Sequence, residues 1–240
     1  MRIGTWNIDK PPAGARHLPQ VRQVTEEADC DAWILTETVD HLTPFENGTV
    51  LHSLELPLNS NTPPHSRQVS VHCRYPLLRR FEVPDPFYAA AGLFDAPGGP
   101  LLLYGLILSY HGRRNHFDGS EWPVWGLHRH QVQLFSRHWR ELAGEAERMV
   151  VAGDFNTTLD PDDRFYGLKD TRKQLNETLN ELDWTALTTS PRMIDHLCVS
   201  RPLAASFDRL EWLNPNNEAF PKQRGIHVGA VAQFREAPVG

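Results

Sequence analysis

The stretch "ERMVVAGDFNTTLD", residues 147–160, decides how the rest of the chain is read. Met149 to Ala152 form a short apolar run that ends at Gly153, and Asp154 and Asn156 follow two positions apart. A run of this length closed by glycine reads as a buried strand entering a turn. Side chains two apart at a strand end point to one side, so the carboxylate and the carboxamide are offered together. Taken alone, the pair has an ordinary explanation, because Asp and Asn are common turn formers and helix N-caps. Its weight depends on whether other strands end in the same way.

They do. "RIGTWNI" (2–8) reads as a strand ending in "TWNID", and alternation is expected to turn Asn7 and Asp9 to one face. "DAWILTE" (31–37) ends at Glu37, and "LLLYGLILSY" (101–110) runs into Tyr110 and His111. "MIDHLCVS" (193–200) carries Asp195 and His196 at its start, and His227 precedes the apolar run "HVGAVAQF" (227–234). "RQVSVHC" (67–73), "FYAAAGLF" (87–94) and "FDRLEWL" (207–213) complete the expected strands. Helices are expected near 17–29, with Leu18, Val21 and Val24 on one face, near 128–145, with Val132, Phe135, Trp139 and Leu142 at helical spacing, and near 170–182. Strands outnumber helices by more than repeated βαβ units would give. The expectation is therefore an α/β (α+β) chain with mixed or antiparallel sheets and outer helices, forming one domain over residues 1–240.

Composition narrows the function classes. The chain has 240 residues, a hydrophobic fraction of 40%, and 30 acidic against 24 basic residues, for a formal charge of −6. That is enough apolar material for a sizeable core, and disorder is excluded as the main state. The acidic balance argues against a histone-like binder, which needs a basic surface to neutralise phosphates. It leaves open a local basic groove, or an enzyme that reaches phosphate through a metal. Cys30, Cys73 and Cys198 are odd in number and lack CxxC spacing, so the expectation is a reducing, cytoplasmic setting without a disulfide framework. "MRIGTWNID" lacks the layout of a signal peptide, no apolar run reaches membrane-spanning length, and no membrane or protein partner is expected.

The polar residues gathered at the strand ends suit a particular chemistry. Glu, Asp and Asn are hard oxygen ligands that favour Mg2+ or Mn2+ over Zn2+. An Asp–His pair supplies an oriented imidazole, and a further carboxylate can align a nucleophilic water. An anionic phosphoester attacked beside carboxylates needs exactly such an offset, a cation and neutral amide donors.

The ordered motifs "TWNID", "LTE", "SYHG", "GDFNTTLD", "MIDHLCVS" and "HVGAVAQF" resemble those of the endonuclease/exonuclease/phosphatase superfamily, which includes deoxyribonuclease I, exonuclease III and the apurinic endonucleases. The resemblance spans residue 3 to about 234, and "GDFN" after an apolar strand is its most specific element. It implies a four-layer αββα sandwich, two mixed β-sheets packed face to face with helices outside, and a site at one edge. By the same resemblance Glu37 and Asn7 are the metal-site pair, with Asp9 a further ligand. Asp154 positions or deprotonates the attacking water, Asn156 holds a phosphate oxygen, and Asp195 orients His227. His111 resembles a histidine near the leaving group, while Tyr110 stands where the apurinic endonucleases use a tyrosine; the register between the two stays open. The chain departs from the family at Ile226, in "GIH", where the family usually has an acid before the last histidine.

For the substrate, "GRRNHFDGSEWPVWGLHRHQ" (112–131) admits two readings. Arg113 and Arg114 would contact phosphates and Trp122 or Trp125 would stack on bases, or the tryptophans simply pack against the sheet. Arg224, in the loop before His227, is a further candidate for phosphate. The expectation is a metal-dependent phosphodiesterase acting on nucleic acid or nucleotides by in-line attack of an activated water. The alternatives are a phosphomonoesterase on a small soluble or lipid-derived phosphate, and a binding module that lost turnover through Ile226.

Overall fold

A computed structural model describes residues 1–11, 14–15, 18–57, 64–110, 119–162, 166–189, 192–213 and 227–235. Among these residues twelve strands form two six-stranded sheets. The first contains β1 (Arg2–Asn7), β2 (Ala32–Val39), β3 (Thr49–His52), β4 (Ser66–Cys73), β11 (Phe207–Leu213) and β12 (Gly229–Phe234), in the order β11-β12-β1-β2-β4-β3. The second contains β5 (Leu77–Phe81), β6 (Ala89–Ala96), β7 (Gly99–Ile107), β8 (Arg148–Asp154), β9 (Trp184–Ala186) and β10 (Asp195–Ser200), in the order β5-β6-β7-β8-β10-β9. Both sheets are mixed. β1 and β2 run parallel, as do β7 and β8, and the outer partners are antiparallel.

The layers follow from which strand face is apolar. Along β2, Ala32 and Ile34 join the core between the sheets, while Trp33 and Leu35 join a second cluster with Leu18 and Val21 of α1 (Leu18–Glu27). A strand covered on both faces needs no polar alternation, which is why "AWIL" is continuous. On the opposite side, α2 (Gly126–Leu142) buries Val132, Phe135, Trp139 and Leu142, and α3 (Lys169–Glu181) buries Leu175 and Leu179. The arrangement is helix, sheet, sheet, helix, as the resemblance implied. A short α4 (Arg201–Ser206) follows β10, and Pro202 lies in its first turn, where a missing N–H costs nothing.

The main differences from the sequence reading lie at edges and ends. β3, β5 and β9 were not expected; each is a sheet edge of three to five residues, with too little buried surface to leave a pattern. α2 begins at Gly126, so residues 126–131 are helical and do not belong to the expected loop. β7 stops at Ile107, three residues short of Tyr110. β1 stops at Asn7, and Asp9 has φ 54°, so strand alternation does not extend to it.

This topology fixes the place of a site. The parallel pairs β1/β2 and β7/β8 direct their C-terminal ends to one edge of the sandwich. Their antiparallel neighbours β12 and β10 begin at that same edge. Asn7, Glu37, Asp154, Asp195 and His227 all stand at or next to these ends.

Candidate active site

The register of β8 and β10 sets the electrostatics. Asp195 is the direct cross-strand partner of Asp154, and both are 2% exposed. Two like charges opposite each other on a buried ladder are unfavourable. Burial first, and then the Asp195 charge, push the Asp154 carboxyl from 3.8 to about 7. Asp195 is also raised, by burial. His227 offsets part of this, because its Nδ1–H donates to Asp195 Oδ2 and lies 3.9 Å from Asp154 Oδ2. Burial alone would lower the imidazole pKa. The charge of Asp195, its hydrogen bond and the charge of Asp154 outweigh that and raise it from 6.5 to about 10. At neutral pH His227 is therefore an imidazolium.

Each acid is aimed by neighbours. Asn7 Nδ2 donates to Asp154 Oδ2 at 3.0 Å, and the Asn156 backbone N–H donates to Oδ1 at 2.8 Å. Asn7 Oδ1 in turn accepts the Asp9 N–H at 3.1 Å. Asn156 has φ 46° and gives one amide hydrogen to the Leu108 carbonyl at 2.8 Å, which leaves the second hydrogen of that amide. Gly153 permits the turn, since it has φ 134° and a Cβ there would meet the Leu106 carbonyl oxygen at 1.9 Å. His227 is seated by Trp6, whose indole N–H donates to the His227 carbonyl at 3.0 Å. A Cβ at Gly229 would strike the Trp6 ring at 2.8 Å. The tryptophan of "TWN" and the glycine of "HVG" thus form a close packing pair next to the His227 backbone.

These residues line one open cavity of about 600 Å³, whose walls include Asn7, Asp9, Glu37, Tyr110, Asp154, Asn156, Asp195 and His227. Ligand-capable oxygen and nitrogen atoms of Asp154, Asp195 and His227 all lie within 4.8 Å of one another. Glu37, with φ 48°, is ion-paired by Lys10, whose Nζ is 2.9 Å from Oε1.

The sequence matches the endonuclease/exonuclease/phosphatase family over residues 4–217. The chain belongs to that family. It is a hydrolase acting on phosphoester bonds. No curated protein matches it. Among solved structures it is similar to an AP endonuclease from Archaeoglobus fulgidus (TM-score 0.67, 14% identity, 98% of this chain and 99% of that one). It is also similar to a 3'-5' exonuclease, NExo, from Neisseria meningitidis (0.66, 16%, 98% and 99%). The endonuclease domain of TRAS1, a telomere-specific non-LTR retrotransposon, gives 0.65 at 12% identity, with 98% of each chain covered. At these identities the likeness is one of fold.

Set against the family reading, the structure brings Asn7, Asp9, Glu37, Tyr110, Asp154, Asn156, Asp195 and His227 to one cavity. His111, Arg113, Arg114, Arg224 and Ile226 lie outside the described residues. Trp122 packs partly against the core, stacks on His130 with ring centroids 4.7 Å apart, and donates its indole N–H to Ser120, so the packing reading fits it. Trp125 meets the edge of Tyr166, a residue of the cavity wall. His196, beside Asp195, is fully buried between Thr188 and the Thr157 carbonyl, and burial lowers it to about 4; it is a neutral structural histidine.

Sequence reasoning missed Tyr166, Arg192 and Met193 at this cavity, and Lys10, which pairs with Glu37 of its wall. Lys10 directly follows "TWNID" and Arg192 stands three residues before Asp195, so adjacency was the available signal for both. Tyr166 sits in an acidic loop with no signal of its own. Among the described residues, no helix is long and apolar enough to cross a membrane.

Proposed function

We propose that this family member is a divalent-metal-dependent phosphodiesterase acting on nucleic acid or nucleotides. The observation that carries the reading is the meeting of Asp154, Asp195 and His227 within 4.8 Å, in the cavity that Asn7 and Glu37 also line. The donor set suits Mg2+ or Mn2+. The carboxylates of Asp9, Glu37, Asp154 and Asp195 and the amide oxygen of Asn7 are hard ligands, and Asp195 Oδ1 is buried without a hydrogen-bond partner among the described residues. Glu37 and Asn7 would hold the ion, with Asp9 beside them, because His227 Nδ1 is already committed to Asp195. When bound, the ion neutralises charge on the phosphate oxygens.

The protein groups then divide the work. Asp154, held by Asn7 and the Asn156 N–H, accepts a proton from the attacking water. The water oxygen forms the new bond to phosphorus as the ester P–O bond opposite it breaks. His227, charged and anchored through Nδ1, has Nε2–H left to donate to a phosphate oxygen as negative charge builds there. The second amide hydrogen of Asn156 serves the same oxygens. Tyr110, 54% exposed on the cavity wall, would give the leaving oxygen its proton.

The substrate class rests on the cavity and on the neighbours' chemistry. A cavity of about 600 Å³ walled by Tyr110 and Tyr166, with Arg192 beside them, suits a nucleotide unit better than bare phosphate. NExo is described both as a 3'-5' exonuclease and as a 3' phosphatase bound to product DNA hairpin, so the monoester at a nucleic-acid end is the second reading. The test is a panel of plasmid, single strands, 3'-phosphorylated oligonucleotide and bis-p-nitrophenyl phosphate, with Mg2+ or Mn2+. Turnover that EDTA and Asp154→Asn both abolish supports the proposal. No turnover on any diester refutes it, and activity confined to the 3'-phosphate selects the second reading.

A further inference from the structure

Lys10 is held at Glu37 by more than its charge. The segment after β1 stays bonded to β2, with the Ile8 N–H donating to the Thr36 carbonyl at 3.1 Å and the Lys10 N–H donating to the Glu37 carbonyl. Asp9, Lys10 and Glu37 have φ 54°, 43° and 48°, so three residues at this corner use the left-handed region. That backbone returns the Lys10 side chain over the carboxylate of the same residue its N–H already holds. The ammonium sits 2.9 Å from Oε1, and the two side chains are only 20% and 23% exposed. A lysine tethered in this way is a local cation at fixed position, unlike a surface lysine that samples solvent.

We propose that Lys10 is a built-in competitor for the divalent cation at Glu37. In the metal-free protein its ammonium occupies the carboxylate, and metal loading requires it to leave. The inference rests on the reading of Glu37 as a metal ligand. Bound through either oxygen of Glu37, the divalent ion would share one carboxylate with the ammonium, and two positive charges that close repel strongly in a site sheltered from water. Apparent metal affinity is then the intrinsic affinity reduced by the stability of the Lys10–Glu37 pair, as in any equilibrium where the competent state is partly populated.

The test is Mn2+ binding to the full chain, followed by the electron paramagnetic resonance of free Mn2+ at low ionic strength, without substrate. Lys10→Met keeps the aliphatic stem and removes the charge, and it should tighten the Mn2+ Kd by about tenfold. Lys10→Gln provides the same neutralisation should the Met variant fold poorly. Arg192→Met removes a positive charge from the same cavity wall and should change the Kd much less, because the competition is for Glu37 itself. An unchanged or weaker Kd in both Lys10 variants overturns this inference alone. So does equal tightening in Arg192→Met, which would reveal only the general field. If neither wild type nor variants bind Mn2+, the metal reading of the site fails together with it.

Discussion

Replacing Asp154 with asparagine separates two things that this carboxylate does, chemistry and strain. In the fold its pKa is about 7, against 3.8 for the ordinary carboxyl, because burial and Asp195 oppose ionisation. The native protein therefore binds more protons than the unfolded chain between those values, and stability falls as pH rises through that window. From pH 5 to pH 8 the cost of ionising Asp154 grows over roughly two pH units, on the order of 2–3 kcal/mol. Asparagine does not titrate and escapes this cost. It accepts through one oxygen only, so it also loses one of the two hydrogen bonds now made by Asn7 and Asn156, an offset of about 1 kcal/mol that does not vary with pH. His227, raised to about 10 with help from the Asp154 charge, stabilises the fold below 6.5 and loses that contribution as pH climbs through 10; in the variant Asp195 still raises it, but less.

The quantity to measure is the change with pH in the melting-temperature gap, variant minus wild type, in EDTA. That gap should widen by about 5–10 °C between pH 5 and pH 8, using the usual conversion for a chain of this size. Hydrolysis by the variant should be lost at every pH. A gap that stays constant or narrows would mean that Asp154 ionises freely in the fold, and that the cross-strand acid pair exerts no pressure on it.

The pH dependence of kcat/KM should be bell-shaped, with a lower limb at or below about 7 from the Asp154–Asp195 pair and an upper limb near 10 from His227. A flat profile over that range would remove both from the chemistry. His227→Ala should lower kcat by more than ~10², checked in single-turnover assays. Glu37→Gln should raise the half-saturating Mg2+ concentration at least tenfold by the order of effect expected for a lost metal ligand, with kcat at saturating metal changed less. Gly153→Ala should destabilise by about 3 kcal/mol or more in urea unfolding, because the new methyl meets the Leu106 carbonyl at 1.9 Å.

Much of the fold was legible because apolar runs bounded by turns mark strands that are buried on two faces. "AWIL" and "MVVAG" are of that kind, and β2 and β8 lie inside their sheets. β3 and β5 were not legible, since "TVLH" and "LLRRF" are edge segments with exposed positions and neither demands burial. The acids of the site were visible as strand-end residues, but their pairing was not. That Asp195 faces Asp154 is a matter of antiparallel register, and register appears only when the strands are laid side by side. Lys10 escaped notice for a related reason. Its side chain returns to Glu37 through left-handed backbone at Asp9 and Lys10, which strand alternation cannot anticipate.

The strain in this molecule is not evenly spread. Nine non-glycine residues have positive φ among the described residues; Asp9, Glu37, Asn156 and Arg192 line the cavity, and Lys10 pairs with Glu37. Each such residue costs of order 1 kcal/mol, and the facing acids add to that. Nothing in local propensity favours this arrangement, so the rest of the fold must impose it. The parallel pairs β1/β2 and β7/β8, buried on both faces, provide that rigidity by holding the corners they end in. It follows that substitutions that relax the corners, such as Glu37→Gly, should relieve backbone strain while they remove a side chain of the site. A protein selected for melting temperature alone would lose this site first and keep its sheets.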